Sequence, residues 1–522
     1  MGSDRVWRSM IALALAALAG CSEPRAQSFV KTAAPVFAIA HVRVIDGTGD
    51  PARDDQTVVV RDGRIAATGS AATVKIPGGA TVIDGRGRTV LPGLVAMHEH
   101  LFYGLNQVLY ESAAAFARLY LAGGVTTIRT AGAADLYEDL RIKRAIDEGR
   151  LPGPKIQVTS PYFGEMNPAS VAAQVASYAD RGATSFKAYT TMRAPELKAL
   201  IDAAHARGLR VTGHLCAVGF RDAAAMGIDN LEHGLIVDTE FYHAKEPDVC
   251  PDQGQFMGEL RWTDPATDRG VHQLIQELVR QGVAVTSTLP VFESMTGDPD
   301  VYDPRMPAVL TPRLRRIYDR TLPDESDHSS HGWAKPMSTL LSHEMQFERM
   351  FVAADGRLLA GTDPTGWGGI VAGFADQREL ELLVEAGFTP ETAIRIATSN
   401  GADFLNETDH IGTIEAGRQA DLVLVRGNPA VTISDVRNIE TVFKDGVGCD
   451  SEALIAASAG TVGEYNFRIF LRWPYNVIVL ALIALRTRRI LRWWQRKRAT
   501  RSAAAGTPAH PAAIPAQIPH QG

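Results

Sequence analysis

The sequence predicts an α/β fold, a closed (β/α)8 TIM barrel with a small β-sandwich built from both ends of the catalytic region. Three observations predict it. Eight strand-like apolar runs alternate with helical patterns across residues 91–404, and eight such units close into a barrel. Short alternating runs flank this region at residues 37–90 and 405–450. Side chains that can bind metals follow several of the eight runs, at the strand ends where such barrels carry their sites.

The barrel strands are defined by apolar runs whose spacing leaves room for a helix between them. The predicted strands are Val90–His98, Val125–Ala131, Lys155–Ser160, Thr184–Thr190, Leu209–Leu215, Ile228–Gly234, Val283–Leu289 and Arg357–Asp363. Residues 194–207 are typical of the intervening helices, with an apolar stripe at Leu197, Leu200, Ile201 and Ala204. Insertions at 237–270 and 292–338 are too long for simple connections and are expected to form lids or pocket walls.

Length and composition indicate a large globular protein. The chain has 522 residues, of which 45% are hydrophobic, enough for one large domain with additions. Its net charge of -6 favours no nucleic-acid partner. The C-terminal region differs from this average, because residues 486–501 contain eight Arg or Lys residues and no acidic residue. Such a block is typical of a segment that flanks a membrane.

Both termini carry signals for export and membrane attachment. Residues 1–20 have a basic start and a short apolar run and resemble a lipoprotein-type signal peptide, which makes Cys21 the expected lipidation site. Residues 467–485 form either a transmembrane or an interfacial helix, followed by a basic and then disordered tail over 486–522. We therefore expect an exported, membrane-anchored protein on the periplasmic or extracellular side. Cys216, Cys250 and Cys449 are an odd number at irregular spacing and do not indicate a disulfide framework.

A candidate metal site begins at the first barrel strand. His98 and His100 follow an apolar run, and alternate residues of a strand lie on one face. Two imidazoles at this spacing can bind one cation, and zinc accepts such ligands readily. A pair of surface histidines would give the same pattern, so the prediction depends on further ligands.

Further candidate ligands stand at the ends of later predicted strands. They are Lys187, His214, His233 and Asp363. Since the carboxyl ends of all barrel strands meet at one opening, these side chains are expected to converge with the first two histidines. Glu232 precedes His233 and either orients that histidine or is an ordinary strand residue.

Several motifs in order resemble the amidohydrolase superfamily, in the branch of imidazolonepropionase-like proteins and metal-dependent prolidase-like dipeptidases. The resemblance covers about residues 37–446. The motifs that carry it are LPGLVAMHEH at 91–100, GVTTIR at 124–129, NLEHG at 230–234, GTD at 361–363 and GTIEAG at 412–417 with ADLV at 420–423.

The resemblance implies two divalent metal ions, with zinc favoured. His98 and His100 would bind the more buried ion, and His214 and His233 the more exposed one. Lys187 would carry CO2 as a carbamate that bridges the two ions, and Asp363 would be a ligand and the general base. Tyr189, Arg129 and Tyr242 are candidates for contacting a substrate carboxylate.

The predicted function is metal-dependent hydrolysis of C–N bonds in a small-molecule amide, peptide or cyclic amide. Two alternatives remain open at this point. A related hydrolase would act on amidine, lactone or phosphoester bonds, and a membrane-tethered binding protein would have no catalytic activity. The sequence predicts neither the substrate nor the oligomeric state.

Overall fold

The computed structural model describes residues 24–105, 108–296, 303–321, 334–365, 370–463, 486–489 and 492–493. Contacts divide the chain into two units, Met1–Glu464 and Tyr465–Gly522. The strands and helices named below belong to the first unit. In the second, residues 486–489 are helical.

The predicted signal peptide at 1–20, Cys21 and the predicted helix at 467–485 lie outside the described residues. The same holds for most of the predicted tail at 486–522. Within the ranges that the structure describes, no helix combines the length and the apolar character needed to cross a bilayer.

The strands belong to a barrel, a larger mixed sheet and one hairpin. They are β1 (Val30–Thr32), β2 (Val36–Val44), β3 (Arg53–Arg61), β4 (Arg64–Ser70), β5 (Thr81–Asp84), β6 (Arg88–Pro92), β7 (Leu94–Glu99), β8 (Phe102–Leu105), β9 (Val108–Glu111), β10 (Val125–Thr130), β11 (Lys155–Gln157), β12 (Thr159–Phe163), β13 (Ser185–Ala188), β14 (Arg210–Gly213), β15 (Asn230–Glu232), β16 (Ala284–Ser287), β17 (Leu358–Ala360), β18 (Leu422–Arg426), β19 (Ile439–Lys444) and β20 (Val447–Asp450).

The helices alternate with the barrel strands and also occupy the two insertions. They are α1 (Ala113–Ala122), α2 (Leu136–Asp147), α3 (Pro168–Arg181), α4 (Ala194–His205), α5 (Phe220–Met226), α6 (Gln253–Leu260), α7 (Arg269–Gln281), α8 (Leu289–Glu293), α9 (Met306–Val309), α10 (Pro312–Thr321), α11 (Ala334–Ala353), α12 (Phe374–Glu385), α13 (Pro390–Ile396), α14 (Ser399–Phe404) and α15 (Ser451–Ala456).

The predicted (β/α)8 barrel is confirmed. Parallel pairing joins β7, β10 and β11, and continues separately from β12 through β17. The third predicted strand is divided into β11 and β12, which together occupy one place in the ring. The barrel therefore has eight strand positions. The ring closes where the backbone N–H groups of Thr362 and Asp363 donate to the carbonyl of His98, at 3.2 and 3.0 Å. This closure brings the last predicted ligand beside the first one.

The first predicted strand, 90–98, is two strands in different sheets. Strand β6 pairs with β18 outside the barrel, whereas β7 pairs with β10 inside it. Gly93 lies at the crossing, where a Cβ would stand 2.1 Å from the side-chain oxygen of Thr126. The chain can therefore pass from one sheet to the other only through a residue without a side chain.

Strands from both ends of the catalytic region form one mixed sheet. Its order is β1-β20-β19-β18-β6-β2-β3-β4, with β5 paired to β2. Strand β18 runs antiparallel to β6, with Leu422 opposite Pro92. A separate apolar core supports the sheet and includes Phe37 and Phe443, whose rings stack at 5.0 Å. The sheet agrees with the predicted small β domain, and it also includes β1, which lies before the predicted segment.

Local sequence signals explain where the barrel helices begin and end. In α3, Pro168 occupies the first turn, the side chain of Asn167 accepts a hydrogen bond from the N–H of Ala169, and Gly182 ends the helix with φ of 116°. Helix α4 buries the apolar stripe predicted for it. Such helices cover the strands and leave their carboxyl ends free to form a site.

The structure corrects the expectation about cysteines. Cys216 and Cys250 form a disulfide across a sequence separation of 34 residues, and Cys449 is free and buried. The bond links the segment after β14 to the first insertion. Sequence spacing could not indicate it, because the insertion folds back over the barrel opening.

Candidate metal centre and catalytic cavity

Six predicted ligands converge at the carboxyl ends of the barrel strands. His98 is in β7 and Lys187 is in β13, whereas the others directly or closely follow their strands. All six line one cavity of about 540 Å³. We call these side chains the floor of the cavity: His98, His100, Lys187, His214, His233 and Asp363.

The Asp363 carboxylate lies among the imidazoles of the floor. Its Oδ1 is 3.0 Å from His100 Nε2 and 3.6 Å from His98 Nε2, and its Oδ2 is 4.0 Å from His233 Nε2. One donor atom each from His98, His233 and Asp363 lie within 4.8 Å of one another. These groups are close enough to share one cation.

The remaining histidine extends the group on one side. The ring of His214 lies 4.4 Å from that of His233, which is itself 4.5 Å from that of His98. The imidazole rings of the floor therefore form one continuous group.

Two floor residues have strained backbones. His233 and Asp363 have φ of 71° and 49°, a region that non-glycine residues seldom occupy. The N–H of His233 donates to the carbonyl of Thr286 at 3.0 Å, and that of Asp363 donates to His98. Such strain persists only where surrounding contacts fix the chain, and it is concentrated at functional sites.

Glu232 orients His98 rather than the adjacent His233. Its Oε2 lies 2.7 Å from His98 Nδ1, so the protonated Nδ1 donates and Nε2 is free to face Asp363. Its Oε1 accepts from Arg129 at 2.8 Å and from Thr212. Burial would raise the pKa of the Glu232 carboxyl, but His98, Arg129 and Lys187 hold that pKa well below its usual range.

In His233 and His100, a hydrogen bond at Nδ1 likewise fixes the orientation of the imidazole. Nδ1 of His233 hydrogen-bonds the hydroxyl of Thr288 at 2.8 Å, and Nδ1 of His100 lies 3.3 Å from the carbonyl of Gly132. Each ring consequently turns Nε2 toward the cavity. Fixing one ring nitrogen in this way prepares the other to bind a metal.

Burial sets the protonation of the floor. It lowers the pKa of His214 to about 3 and also lowers the pKa of His100 and, strongly, of His233. Burial would raise the pKa of Asp363, but His98 and His100 hold that pKa well below its usual value. Neutral imidazoles and an ionised carboxylate are the forms that bind cations.

Two buried nitrogen atoms on the floor have no hydrogen-bond partner, Lys187 Nζ and His233 Nε2. Lys187 is 1% exposed, and its Nζ lies 3.8 Å from Glu232 Oε1. Burial lowers the pKa of its ammonium group. Buried polar atoms normally form hydrogen bonds, so these two unpaired nitrogen atoms indicate that the site binds a further group. Nitrogen and carboxylate donors around such a gap fit a divalent cation.

Two of the three residues predicted to contact a substrate lie outside the lining of the cavity. The guanidinium of Arg129 is buried against Glu232 and donates to the carbonyl of Met97 at 2.8 Å, so it supports the floor from below. The hydroxyl of Tyr242 donates to Gln255 Oε1 at 3.0 Å, and Tyr242 is not among the residues that line the cavity. Tyr189 does line the cavity and is 39% exposed.

The sequence analysis missed Tyr162. It lies at the end of the third strand position, in register with Lys187, and its ring packs 4.8 Å from that of Tyr189. Both tyrosines line the cavity beside the floor. The signal in the sequence that could have identified Tyr162 was its position at the end of a barrel strand.

The two insertions form the apolar wall of the cavity, as the sequence predicted. This wall consists of Val237, Phe256, Met257, Phe292, Met295 and Met337. The ring of Phe292 lies 5.9 Å from that of His233, so the wall reaches the floor. The Cys216–Cys250 disulfide holds the first insertion beside this wall, and Cys216 itself lines the cavity.

Comparisons with known proteins agree with this geometry. The model of the family described as "Amidohydrolase family" matches residues 89–448. The chain is 26% identical over 401 residues to an imidazolonepropionase of Streptomyces griseus subsp. griseus, covering 73% of this chain and 88% of that protein. It is 42% identical over 82 residues to an enamidase of Eubacterium barkeri, covering 16% of this chain and 21% of that protein.

Solved structures share the fold. A Xaa-Pro dipeptidase with bound methionine in its active site aligns with a TM-score of 0.59 and 21% identity, covering 80% of this chain and 100% of that one. At this level of identity the likeness extends to the fold alone.

Proposed function

The chain belongs to the amidohydrolase family, in its imidazolonepropionase- and prolidase-like branch, and from this premise we propose a metal-dependent hydrolase of C–N bonds in small-molecule amides. Membership makes the chain a hydrolase and disfavours the alternative of a binding protein without catalysis. The observation that carries the proposal is the convergence of six ligand-type side chains in one cavity.

Two divalent cations are part of the proposal. His98 and His100 would hold the deeper one, and His214 and His233 the other, with Asp363 close enough to contribute to either. Nitrogen-rich ligands of this kind favour zinc. When bound, such cations lower the pKa of water and polarise a carbonyl group.

Asp363 is proposed as the general base and acid. It is an ionised carboxylate at the centre of the floor, so it can accept the proton of the attacking water and return it to the leaving nitrogen. The Tyr162 and Tyr189 hydroxyl groups are neutral donors in the same cavity and suit the substrate carbonyl oxygen. The apolar wall reaches the floor and would limit the access of bulk water during this step.

Lys187 is proposed to carry a carbamate. Its buried Nζ lacks a hydrogen-bond partner, and a free ammonium at this place would repel cations. The ammonium first loses one proton; the neutral amine then attacks CO2, an N–C bond forms as one C=O π bond opens, and a second proton is released. A cationic side chain thereby becomes an anionic one with two oxygen donors. The product complements the neutral imidazoles of the floor.

The Asp363→Asn variant tests the proposal. We expect kcat for a chromogenic anilide to fall about 1000-fold, in the range of a lost general base, with metal content nearly unchanged. Asp409→Asn, an exposed aspartate, is the matched control and should retain full activity. A stopped assay measures the activity, and mass spectrometry checks that the metal content is unchanged. Full activity of Asp363→Asn would refute the assignment.

We also propose that the enzyme is exported and tethered through Cys21. The sequence of residues 1–20 supports this, and a disulfide is favoured in an oxidising compartment. Palmitate labelling of cells expressing the full chain should give a labelled protein that the Cys21→Ser variant lacks. Equal labelling of both proteins would contradict the anchor.

A further inference from the structure

We propose that the cavity takes an uncharged amide with an apolar substituent, and not a dipeptide or an N-acyl amino acid with its free carboxylate. This inference rests on the proposed C–N hydrolase function and names the substrate class of that site. It departs from the expectation that Arg129 or Tyr242 contacts a substrate carboxylate, because neither residue lines the cavity.

The argument begins with the charges around the cavity. A buried carboxylate needs a cationic partner, since an unpaired charge away from water is strongly disfavoured. Among the described residues that line the cavity, Lys187 is the only lysine and no arginine is present. Lys187 lies on the floor beside Glu232 and is assigned to the metal centre. It is therefore not available for a distant substrate carboxylate.

The nearest buried arginine is already paired. The Arg129 guanidinium donates to Glu232 and to a backbone carbonyl, and it is 2% exposed. Arg129 is therefore not available to pair with a substrate carboxylate.

The shape and chemistry of the remaining lining fit an apolar group. Away from the floor most of the lining is apolar and includes Leu215, Val237, Phe256, Met257, Phe292 and Met295. Such side chains stabilise a bound apolar group by removing it from water, and they offer a charged group no partner. Thr239, a polar residue in the same lining, already donates its hydroxyl to the carbonyl of Cys216 at 2.6 Å. The polar atoms of the substrate are thus expected at the floor and at the two tyrosines beside it, Tyr162 and Tyr189.

A matched pair of anilides tests substrate charge in the metal-loaded full-length protein. N-(4-nitrophenyl)butanamide and the mono-4-nitroanilide of succinic acid differ at the end of the acyl chain, which is a methyl in one and a carboxylate in the other. We expect kcat/KM to favour the neutral anilide by about 100-fold, because the carboxylate lacks a partner. Equal rates, or a preference for the succinyl compound, would overturn the inference.

Binding separates this inference from the proposed function. In the ketone analogues of both anilides a CH2 group replaces the scissile nitrogen, so no bond can be hydrolysed. Calorimetry should give a dissociation constant about 100-fold lower for the neutral ketone. If neither anilide is hydrolysed and this binding preference holds, the hydrolase proposal fails while the charge preference stands. Equal affinities would overturn the charge preference.

A charge-insertion variant gives an independent measurement. Gln253 is exposed and lines the cavity, so Gln253→Arg would place a cation at its edge. We expect the preference for the neutral anilide to narrow by about 10-fold, since each 1.4 kcal/mol changes an equilibrium tenfold. Gln255→Arg, on the same helix and outside the lining, is the control and should leave the preference unchanged. An unaltered preference in Gln253→Arg would contradict the electrostatic argument.

Discussion

The floor and the apolar wall of the cavity are built in different ways. The floor comes from the carboxyl ends of barrel strands, and its side chains are oriented by buried partners such as Glu232 and Thr288. The wall comes from two insertions and contributes apolar side chains together with a disulfide. The barrel scaffold therefore positions the candidate ligands, whereas the insertions supply apolar side chains that would contact a substrate. Variants of the floor should therefore reduce catalysis, and variants of the wall should change stability or substrate preference.

After Asp363→Asn, the largest effect is expected from Lys187→Ala on the floor. Removing this side chain would eliminate the proposed carbamate and with it a bridging ligand, so kcat should fall by more than about 100-fold, beyond the loss typical of a residue that only supports a ligand. Bound metal per chain should also fall. The measurement is the rate with a chromogenic anilide together with elemental analysis.

Lys198→Ala is the matched control, because Lys198 forms an exposed pair with Asp202 at 2.6 Å. Its activity and metal content should equal those of the unmodified protein. Unchanged metal content and rate in Lys187→Ala would remove Lys187 from the metal centre.

A second floor variant, Glu232→Gln, tests the support beneath the ligands. The neutral amide of glutamine cannot form ion pairs with His98 and the buried Arg129. Metal affinity should therefore fall about 10- to 100-fold, and the free energy of unfolding should fall by about 3–5 kcal/mol. Chelator competition and urea unfolding measure the two losses. Glu415→Gln, at an exposed pair, should change neither quantity. Wild-type affinity in Glu232→Gln would show that this carboxylate is dispensable.

A third prediction concerns Glu344, which is buried against the segment between His233 and the first insertion. It lies on α11, accepts from the N–H of Ile236 at 2.8 Å, and has Asp238 and Glu348 as acidic neighbours. Burial raises its pKa to about 8, above the unfolded value near 4.3. The folded state therefore holds the proton more tightly, and this stabilisation is complete at low pH and lost as the pH rises from about 4.3 through 8.

The free energy of unfolding should accordingly fall by up to about 1.4 kcal/mol per pH unit in that window. In Glu344→Gln this fall with pH should be less steep. Urea unfolding at pH 5, 6, 7 and 8 measures the slope. Glu452→Gln, at an exposed position, should leave the slope as it is. A slope unaffected by Glu344→Gln would assign the pH dependence to other groups.

The smallest effect on catalysis is expected from Cys250→Ser in the first insertion. Loss of the disulfide should lower the free energy of unfolding by about 2–4 kcal/mol and raise KM, with kcat nearly unchanged, because the floor does not depend on this bond. Reductant should destabilise the unmodified protein and have no further effect on the variant. A large loss of kcat would contradict the separation of floor and wall.

The pattern of residues along the chain is sufficient to predict the barrel and the convergence of its candidate ligands. Apolar runs alternating with helical patterns specify parallel strands, and a closed barrel brings every strand end to one opening. His98, His214, His233 and Asp363 therefore had to lie together, whatever the helices between them contained. The structure places them as the pattern predicted.

The pairing of side chains, by contrast, depends on how the chain packs in three dimensions. Arg129 and Glu232 are 103 positions apart in sequence, and Cys216 and Cys250 are 34 apart, so neither contact leaves a periodic signal. Arg129 was expected at the substrate and instead lies under the floor. Packing of strands and insertions sets these distances, because side-chain partners depend on three-dimensional register that a linear pattern does not encode.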